Sequence, residues 1–174
     1  IDGLPGPKGL LDVVAGLSEK AHARLVSLDL SAVRDYPGVV RVITAADIPG
    51  DNQTSPVHAN DEPLLAVDLV QHVGQPILAV VATDRAIARR AVRLARIDYD
   101  ELPALLDIDA ARANGSPLVW RPLTMERGAV GPALESAPRR LSGCVTIGGQ
   151  EHFYLEGQVA LAQPGEAGEI RVWS

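Results

Sequence analysis

Runs and alternations of apolar residues predict two strand–helix–strand units in the first hundred residues. In the first unit, residues 25–30 alternate between apolar and polar positions, as a half-buried strand does. Ser31 can cap a short helix there, because its hydroxyl can accept a hydrogen bond from a free backbone N–H. Pro37 and Gly38 would end that helix, and residues 39–43 would form the next strand.

The second unit has the stronger pattern. Residues 76–82 form a continuous apolar run, which is typical of a strand covered on both faces. Thr83 is in position to cap a helix that extends through Arg96, and residues 97–100 would return as a strand.

The helix of the second unit is amphipathic. Its apolar face consists of Ile87, Ala91, Leu94 and Ala95, and its opposite stripe of Arg85, Arg89, Arg93 and Arg96. Guanidinium groups pair well with phosphate and carboxylate, so a phosphate ligand, an acidic partner or an interdomain contact is one interpretation of the stripe. We prefer a solvated helix face, or one paired with neighbouring acids, since an amphipathic helix needs a polar side in any case.

The pattern changes after residue 102. Residues 105–111 could form one or two helical turns, but prolines and glycines interrupt the chain beyond residue 113, and residues 103–138 are interpreted as a connecting segment. A second domain is predicted to begin at residue 139, with strand-like runs at 141–147, 159–162 and 169–173. Because residues 139–174 are too few to enclose much core, we expect further polypeptide or another chain to cover them.

Composition narrows the class of protein. The 174 residues are 47% hydrophobic and 22% charged, which is typical of a globular protein, and the few aromatic residues imply an aliphatic core. A net charge of −6 argues against a nucleic-acid partner, because phosphate contacts need a basic surface. No apolar run approaches the ~18 residues of a membrane span and no signal peptide opens the chain, so no membrane partner is expected.

Cys144 is the single cysteine. It therefore provides no intrachain disulfide, paired-cysteine zinc site or iron–sulfur cluster. Its apolar-leaning surroundings, residues 141–147, favour a small buried side chain over a reactive or metal-binding thiol.

The segment IGGQEHFYLE, residues 147–156, has the highest density of candidate chemistry in the chain. His152 and Glu156 would lie one helical turn apart, a spacing that suits a metal or an acid–base pair. The flanking glycines make a regular helix doubtful, and two ligands are fewer than zinc sites use, so no metal site is predicted. We expect a buried polar network instead, and no catalytic residue is assigned.

This segment resembles the start of the molybdenum-binding region in the large subunit of xanthine dehydrogenases and aldehyde oxidases. Six further segments resemble that family in the same order: KAHAR (20–24), YPGV (36–39), TAADIPG (44–50), DEPLLA (61–66), VGQP (73–76) and YDELP (99–103). The spacing is similar to the xanthine dehydrogenase branch. The resemblance implies an α+β fold: an α/β hammerhead domain with a mixed sheet over residues 1–102, then the beginning of a second α+β domain that binds molybdopterin. It also suggests that the chain is an N-terminal piece of the subunit and that residues before Ile1 are missing.

The family's activity implies a molybdenum–pterin cytosine dinucleotide cofactor in the parent enzyme. Molybdenum-bound hydroxide would attack an electron-poor carbon while a glutamate acts as base, and electrons would leave through 2Fe-2S centres to FAD or NAD. The elements that hold molybdenum are expected beyond Ser174, and the glutamine near the metal shortly after Trp173. No cofactor is therefore expected in this chain alone. Within it, Gln150, Glu151, His152 and Glu156 would support the cofactor cavity without touching the metal.

Two functional interpretations arise from the resemblance. In one, the chain is part of a cytoplasmic enzyme that hydroxylates hypoxanthine and xanthine, and is inactive on its own. Its partners would be the remainder of the large subunit and the iron–sulfur and FAD subunit or domains, in a homo- or hetero-oligomer. In the other, it is a non-catalytic module for subunit interaction or scaffolding. Purine and aldehyde substrates are not distinguished.

Overall fold

The computed structural model describes residues 6–55, 61–119, 121–155 and 157–174. The chain divides into two units, one spanning Gly6–Asn114 and the other containing Gly115–Ser174. The elements of the first unit are β1 (Asp12–Leu17), β2 (Ala23–Asp29), α1 (Ser31–Arg34), β3 (Val39–Thr44), β4 (Leu69–Val70), β5 (Pro76–Ala82), α2 (Arg85–Ala91), β6 (Arg96–Glu101) and α3 (Ile108–Ala113). Single 3-10 turns cover Ala45–Asp47 and Val92–Leu94.

The strands of the first unit form two three-stranded sheets, in the orders β1-β5-β3 and β4-β2-β6. Every strand pair in them is antiparallel. The predicted α+β class is confirmed, and both strand–helix–strand units are present. The expected mixed sheet is corrected to antiparallel sheets. α1 and α2 each carry the chain from one sheet to the other, so the strands that each of them joins do not pair with each other.

The core of the first unit is aliphatic, as composition predicts. Leu78, Val80 and Ala82 of β5 are fully buried, together with Ala88 and Ala91 of α2. β5 is the central strand of its sheet, which explains its continuous apolar run. Burying a Val or Leu side chain contributes about 1.5–3 kcal/mol, so this strand is a main source of the unit's stability.

Both predicted helix caps are wrong by one or two residues. Asp84, not Thr83, caps α2: its carboxylate accepts hydrogen bonds from the N–H groups of Ala86 (2.7 Å) and Ile87 (3.3 Å). At α1, the Asp29 carboxylate accepts from the backbone N–H and the hydroxyl of Ser31. These bonds lower the pKa of Asp29.

The end of the second helical segment also differs from the prediction. The 3-10 turn after α2 ends at Leu94, and Arg96 already belongs to β6. Leu94, predicted on the apolar face, is 40% exposed, whereas Ala88 takes a core position. The returning strand predicted at residues 97–100 is confirmed.

The second unit contains α4 (Val130–Ser136), β7 (Leu161–Pro164), β8 (Ile170–Trp173) and a 3-10 turn at Glu166–Gly168. β7 and β8 pair as an antiparallel hairpin. α4 lies where we expected only connecting chain. Its Pro132 is in the first helical turn, where a missing N–H breaks no bond within the helix.

The predicted strand at residues 141–147 is absent, because no described segment pairs with it. Cys144, expected to be buried, is exposed. Nearly all the described side chains of this unit are exposed, including Leu141 and Leu155. The expectation that this stretch encloses little core is confirmed.

Candidate functional site

The segment with the densest chemistry, residues 148–155, lies between α4 and β7 without helix or strand. Phe153 adopts a positive φ of 53°, in the left-handed region that favours glycine. The rings of His152 and Tyr154, on either side of it, stack with centroids 5.7 Å apart and planes 12° from parallel. A local aromatic pair therefore shapes the segment.

The expected buried polar network does not form in this chain. Gln150, Glu151 and His152 are all exposed, and the one polar contact among them joins the N–H of His152 to the carboxylate of Glu151 at 3.0 Å. Too few neighbouring residues surround the segment to exclude water from it. Glu156, the fourth residue of the predicted set, lies outside the described residues.

The described residues do not provide a ready cofactor site. No three of their His, Cys, Asp and Glu side chains are grouped so that they could hold a metal ion. Phe153 is 82% exposed and Tyr154 is 70% exposed, so the segment forms an open surface and not an enclosing cavity. A pterin cofactor needs walls that this segment alone does not supply.

A buried polar group in the first unit was not singled out from the sequence. Gln75 is 4% exposed, and its side-chain carbonyl accepts a hydrogen bond of 2.7 Å from the N–H of Gln71. Its backbone carbonyl accepts from the N–H of Ser18, whose own carbonyl accepts from Gly74, each at 2.8 Å. These bonds join the turn before β5 to the end of β1. Gly74 has a φ of 86°, which glycine adopts readily, so it makes that turn possible. The motif VGQP, residues 73–76, is therefore explained by the structure of this turn.

A second set of contacts joins the start of β2 to the end of β6. The ammonium group of Lys20 donates to the carboxylate of Glu101, and this hydrogen bond raises the pKa of Lys20. The His22 ring nitrogen Nδ1 lies 2.8 Å from the carbonyl of Pro103. These exposed contacts set the direction in which the chain leaves β6, and they show no reactive geometry.

The arginine stripe lies on the surface. Arg85, Arg89 and Arg93 are exposed, and none of them forms an ion pair with another described residue. For these three the solvated interpretation is favoured, whereas Arg96, the fourth member of the stripe, lies on β6 opposite Asp29.

No helix in the described part of the chain combines the length and the apolar character that crossing a lipid bilayer requires.

Comparison with known proteins defines the class. Residues 7–103 match the family model "Aldehyde oxidase and xanthine dehydrogenase, a/b hammerhead domain", and residues 113–174 match "Molybdopterin cofactor-binding domain". The chain belongs to the aldehyde oxidase and xanthine dehydrogenase family of molybdenum hydroxylases.

Three relatives illustrate the range of this similarity. A xanthine dehydrogenase/oxidase from Felis catus is 40% identical over 174 residues, covering 99% of this chain and 13% of that protein. Aldehyde oxidase 2 from Rattus norvegicus is 45% identical over 148 residues, covering 84% of this chain and 11% of that protein. The aldehyde oxidoreductase of Desulfovibrio gigas superposes with a TM-score of 0.75 at 29% identity, covering 96% of this chain and 20% of that one. The chain thus spans a small part of each relative's length.

Proposed function

We propose that this chain works as part of a longer molybdenum hydroxylase. Residues 1–102 would supply the hammerhead domain, 103–138 a connecting segment, and 139–174 the start of the molybdopterin-binding domain. The observation that carries this proposal is the succession of two matches, over residues 7–103 and 113–174, in one chain. The second match begins within the proposed connecting segment, so the exact boundary is part of the proposal.

The proposed reaction is the hydroxylation of a purine such as hypoxanthine or xanthine. A bound molybdenum–pterin cofactor would supply the oxidising metal centre, and the electrons would pass through 2Fe-2S centres to FAD or NAD elsewhere in the assembly. The 40% identity to a xanthine dehydrogenase/oxidase, which extends over 99% of this chain, supports the choice of a purine. We also propose that the enzyme is located in the cytoplasm. The higher identity to an aldehyde oxidase over a shorter stretch makes an aldehyde the competing substrate.

The chain's own residues would act by positioning. Because the described residues do not enclose a cofactor site, no step of the reaction is assigned to any of them. Gln150, Glu151 and His152, together with Glu156, would hold neighbouring backbone in place around the cavity once further polypeptide surrounds them. The pairing of His152 with Tyr154 gives that loop a defined shape before assembly.

A second candidate is a non-catalytic module for subunit interaction. The exposure of apolar side chains in the second unit favours it for the chain on its own: Leu141, Phe153 and Leu155 are all more than four-fifths exposed. Such surfaces are typical of proteins that bind another polypeptide. The two proposals differ in whether a molybdenum centre is ever completed.

Expression of the complete reading frame separates these possibilities. We expect the full-length product to contain molybdenum and to reduce a dye with xanthine as substrate, with a higher kcat/KM for xanthine than for an aromatic aldehyde. A higher kcat/KM for the aldehyde than for xanthine would make an aldehyde the substrate, and the assignment as a molybdenum hydroxylase would still hold. A full-length product without molybdenum, made in cells that load other molybdenum hydroxylases, would favour the non-catalytic module.

A further inference from the structure

The sheet formed by β1, β5 and β3 has two unlike faces. One packs into the core with α2. The other, called the open face here, consists of Val13, Ala15, Ile43, Ala79 and Val81. The strand register places Val13 opposite Val81, and both Ala15 and Ile43 opposite Ala79. Residues directly opposite each other in antiparallel strands project to the same side, so these five form one continuous aliphatic surface.

The open face carries almost no charge. Arg41 is its one ionisable side chain among the described residues, and its guanidinium group donates to the Asp47 carboxylate at 3.1 Å. Asp47 also accepts from the backbone and hydroxyl of Thr44, and these bonds with Arg41 lower the pKa of Asp47. The charge at the rim of the face is therefore balanced within the domain, and the face suits an apolar partner better than a charged one.

The second sheet shows what a solvated face looks like in the same domain. On its outer side Arg24 lies opposite Asp100 and Asp29 opposite Arg96. The hydroxyl of Ser27 donates to the Asp98 carboxylate. Polar residues at alternate positions are typical of a sheet face in water. The open face lacks this alternation: Val13 of its edge strand is 61% exposed, whereas Ile43, Ala79 and Val81 are half-buried.

The edge of β1 extends the same surface. β1 pairs with β5 alone among the described strands, and its residues 13–17 include neither a charge nor a proline that would block further pairing. A cavity of ≈ 360 Å³ opens beside it on the core side of the sheet, and its lining includes Gly16, Val92 and Ile97 together with the charged Glu19 and Arg93. This cavity is therefore of mixed polarity and is separate from the open face.

We propose that the open face is a docking surface for an aliphatic segment of the same, longer polypeptide. This inference rests on the proposed function. The chain covers 13% of the length of the Felis catus relative, so a polypeptide of that size offers ample further chain to cover the face. Because the face is neutral and its side chains are small and aliphatic, we expect the segment that covers it to be apolar and to pack closely against it.

Two matched valines allow a direct test. Val13, on the open face, and Val26, on β2, are 61% and 66% exposed. In the 174-residue chain, Val13→Asp and Val26→Asp should change the unfolding temperature alike. In the full-length product, Val13→Asp should lower the yield of folded protein about tenfold or more relative to Val26→Asp, because docking would bury an unpaired carboxylate.

Carbene footprinting provides a readout independent of activity. We expect labelling of residues 12–17 and 79–82 to fall severalfold between the 174-residue chain and the full-length product, while labelling of residues 24–29 stays the same. Equal labelling of the open face in both proteins would overturn the proposal. So would a dimer of the 174-residue chain that Val13→Asp dissociates, since a second copy would then be the occupant.

The outcomes separate this inference from the proposed function. Protection of the open face in a full-length product that binds no molybdenum would support docking and refute the hydroxylase proposal. Molybdenum-dependent activity with an unprotected open face would do the reverse. A reading frame that ends after Ser174 would overturn both.

Discussion

Asp84 holds the first turn of α2 through two backbone N–H groups. Replacing it with alanine leaves both donors without that partner, so we expect Asp84→Ala to destabilise the 174-residue chain by about 0.5–2 kcal/mol in thermal or urea unfolding. Asp84→Asn should retain most of the stability, because an amide oxygen also caps helices.

Thr83→Val is the control for this prediction. Among the described residues the Thr83 hydroxyl donates one hydrogen bond, a long one of 3.4 Å to the Gly38 carbonyl, so its loss should matter less. A larger cost for Thr83→Val than for Asp84→Ala would show that the cap is misassigned. The sequence could not decide between these neighbours, because both are residue types that cap helices. The choice depends on where the helix begins, and its start at Arg85 puts Asp84 in the extended cap position.

His152 is the residue whose proposed role depends most on polypeptide beyond this chain. It is exposed here, so His152→Ala should leave the stability of the 174-residue chain nearly unchanged. In the full-length product it should cost about 1–3 kcal/mol, because a buried partner is left unpaired. We expect molybdenum occupancy to fall with stability, while turnover per bound molybdenum changes little.

His152→Phe is the matched variant, since it retains a ring to stack on Tyr154 but removes the polar nitrogens. If the hydrogen bonds of His152 hold the loop, His152→Phe should lower molybdenum occupancy as much as His152→Ala does. If the stacking on Tyr154 is sufficient, His152→Phe should lower it less. Wild-type occupancy with turnover per molybdenum reduced about a thousandfold would contradict the supporting role and place His152 among the catalytic residues.

At the scale of elements, Gly16 sets how closely β1 approaches the core. A Cβ atom there would lie 2.7 Å from Leu78 Cγ and 3.0 Å from Val92 Cγ2. Leu78 is fully buried and has little room to move. Gly16→Ala should therefore cost about 1–3 kcal/mol through overpacking.

Gly143→Ala provides the comparison, because nothing lies within 4 Å of a Cβ at that position and its φ is not positive. It should be nearly neutral in the same unfolding experiment. If the two variants proved equally stable, β1 would not pack against β5 as described.

The elements that the pattern predicts and those it misses differ in their surroundings. β5 is predictable because a central strand has apolar residues on both faces, and β6 because its residues alternate. β1 escapes prediction because Gly16 interrupts its apolar residues and no alternation marks it. The reverse error occurs at residues 141–147, where apolar residues have no partner strand among the described residues. Pairing is a contact between distant segments, and local pattern does not encode it.

At the scale of the whole molecule, the two units differ in how much they can do alone. The unit spanning Gly6–Asn114 has a buried aliphatic core, whereas the described residues of Gly115–Ser174 are almost all exposed. The family could be predicted from the order of short motifs along the chain. The surroundings of residues 150–155 could not, because the walls of a cavity come from segments distant in sequence.

The molybdenum content of the purified 174-residue chain tests the central claim, that this chain contributes to a cofactor-binding region without completing it. After expression in cells that load molybdenum hydroxylases, metal analysis should find no stoichiometric molybdenum in this chain. The full-length product, purified in parallel, should hold about one atom per polypeptide. About one molybdenum atom per 174-residue chain would contradict the account, because the exposed residues of the second unit would then have to form the site by themselves.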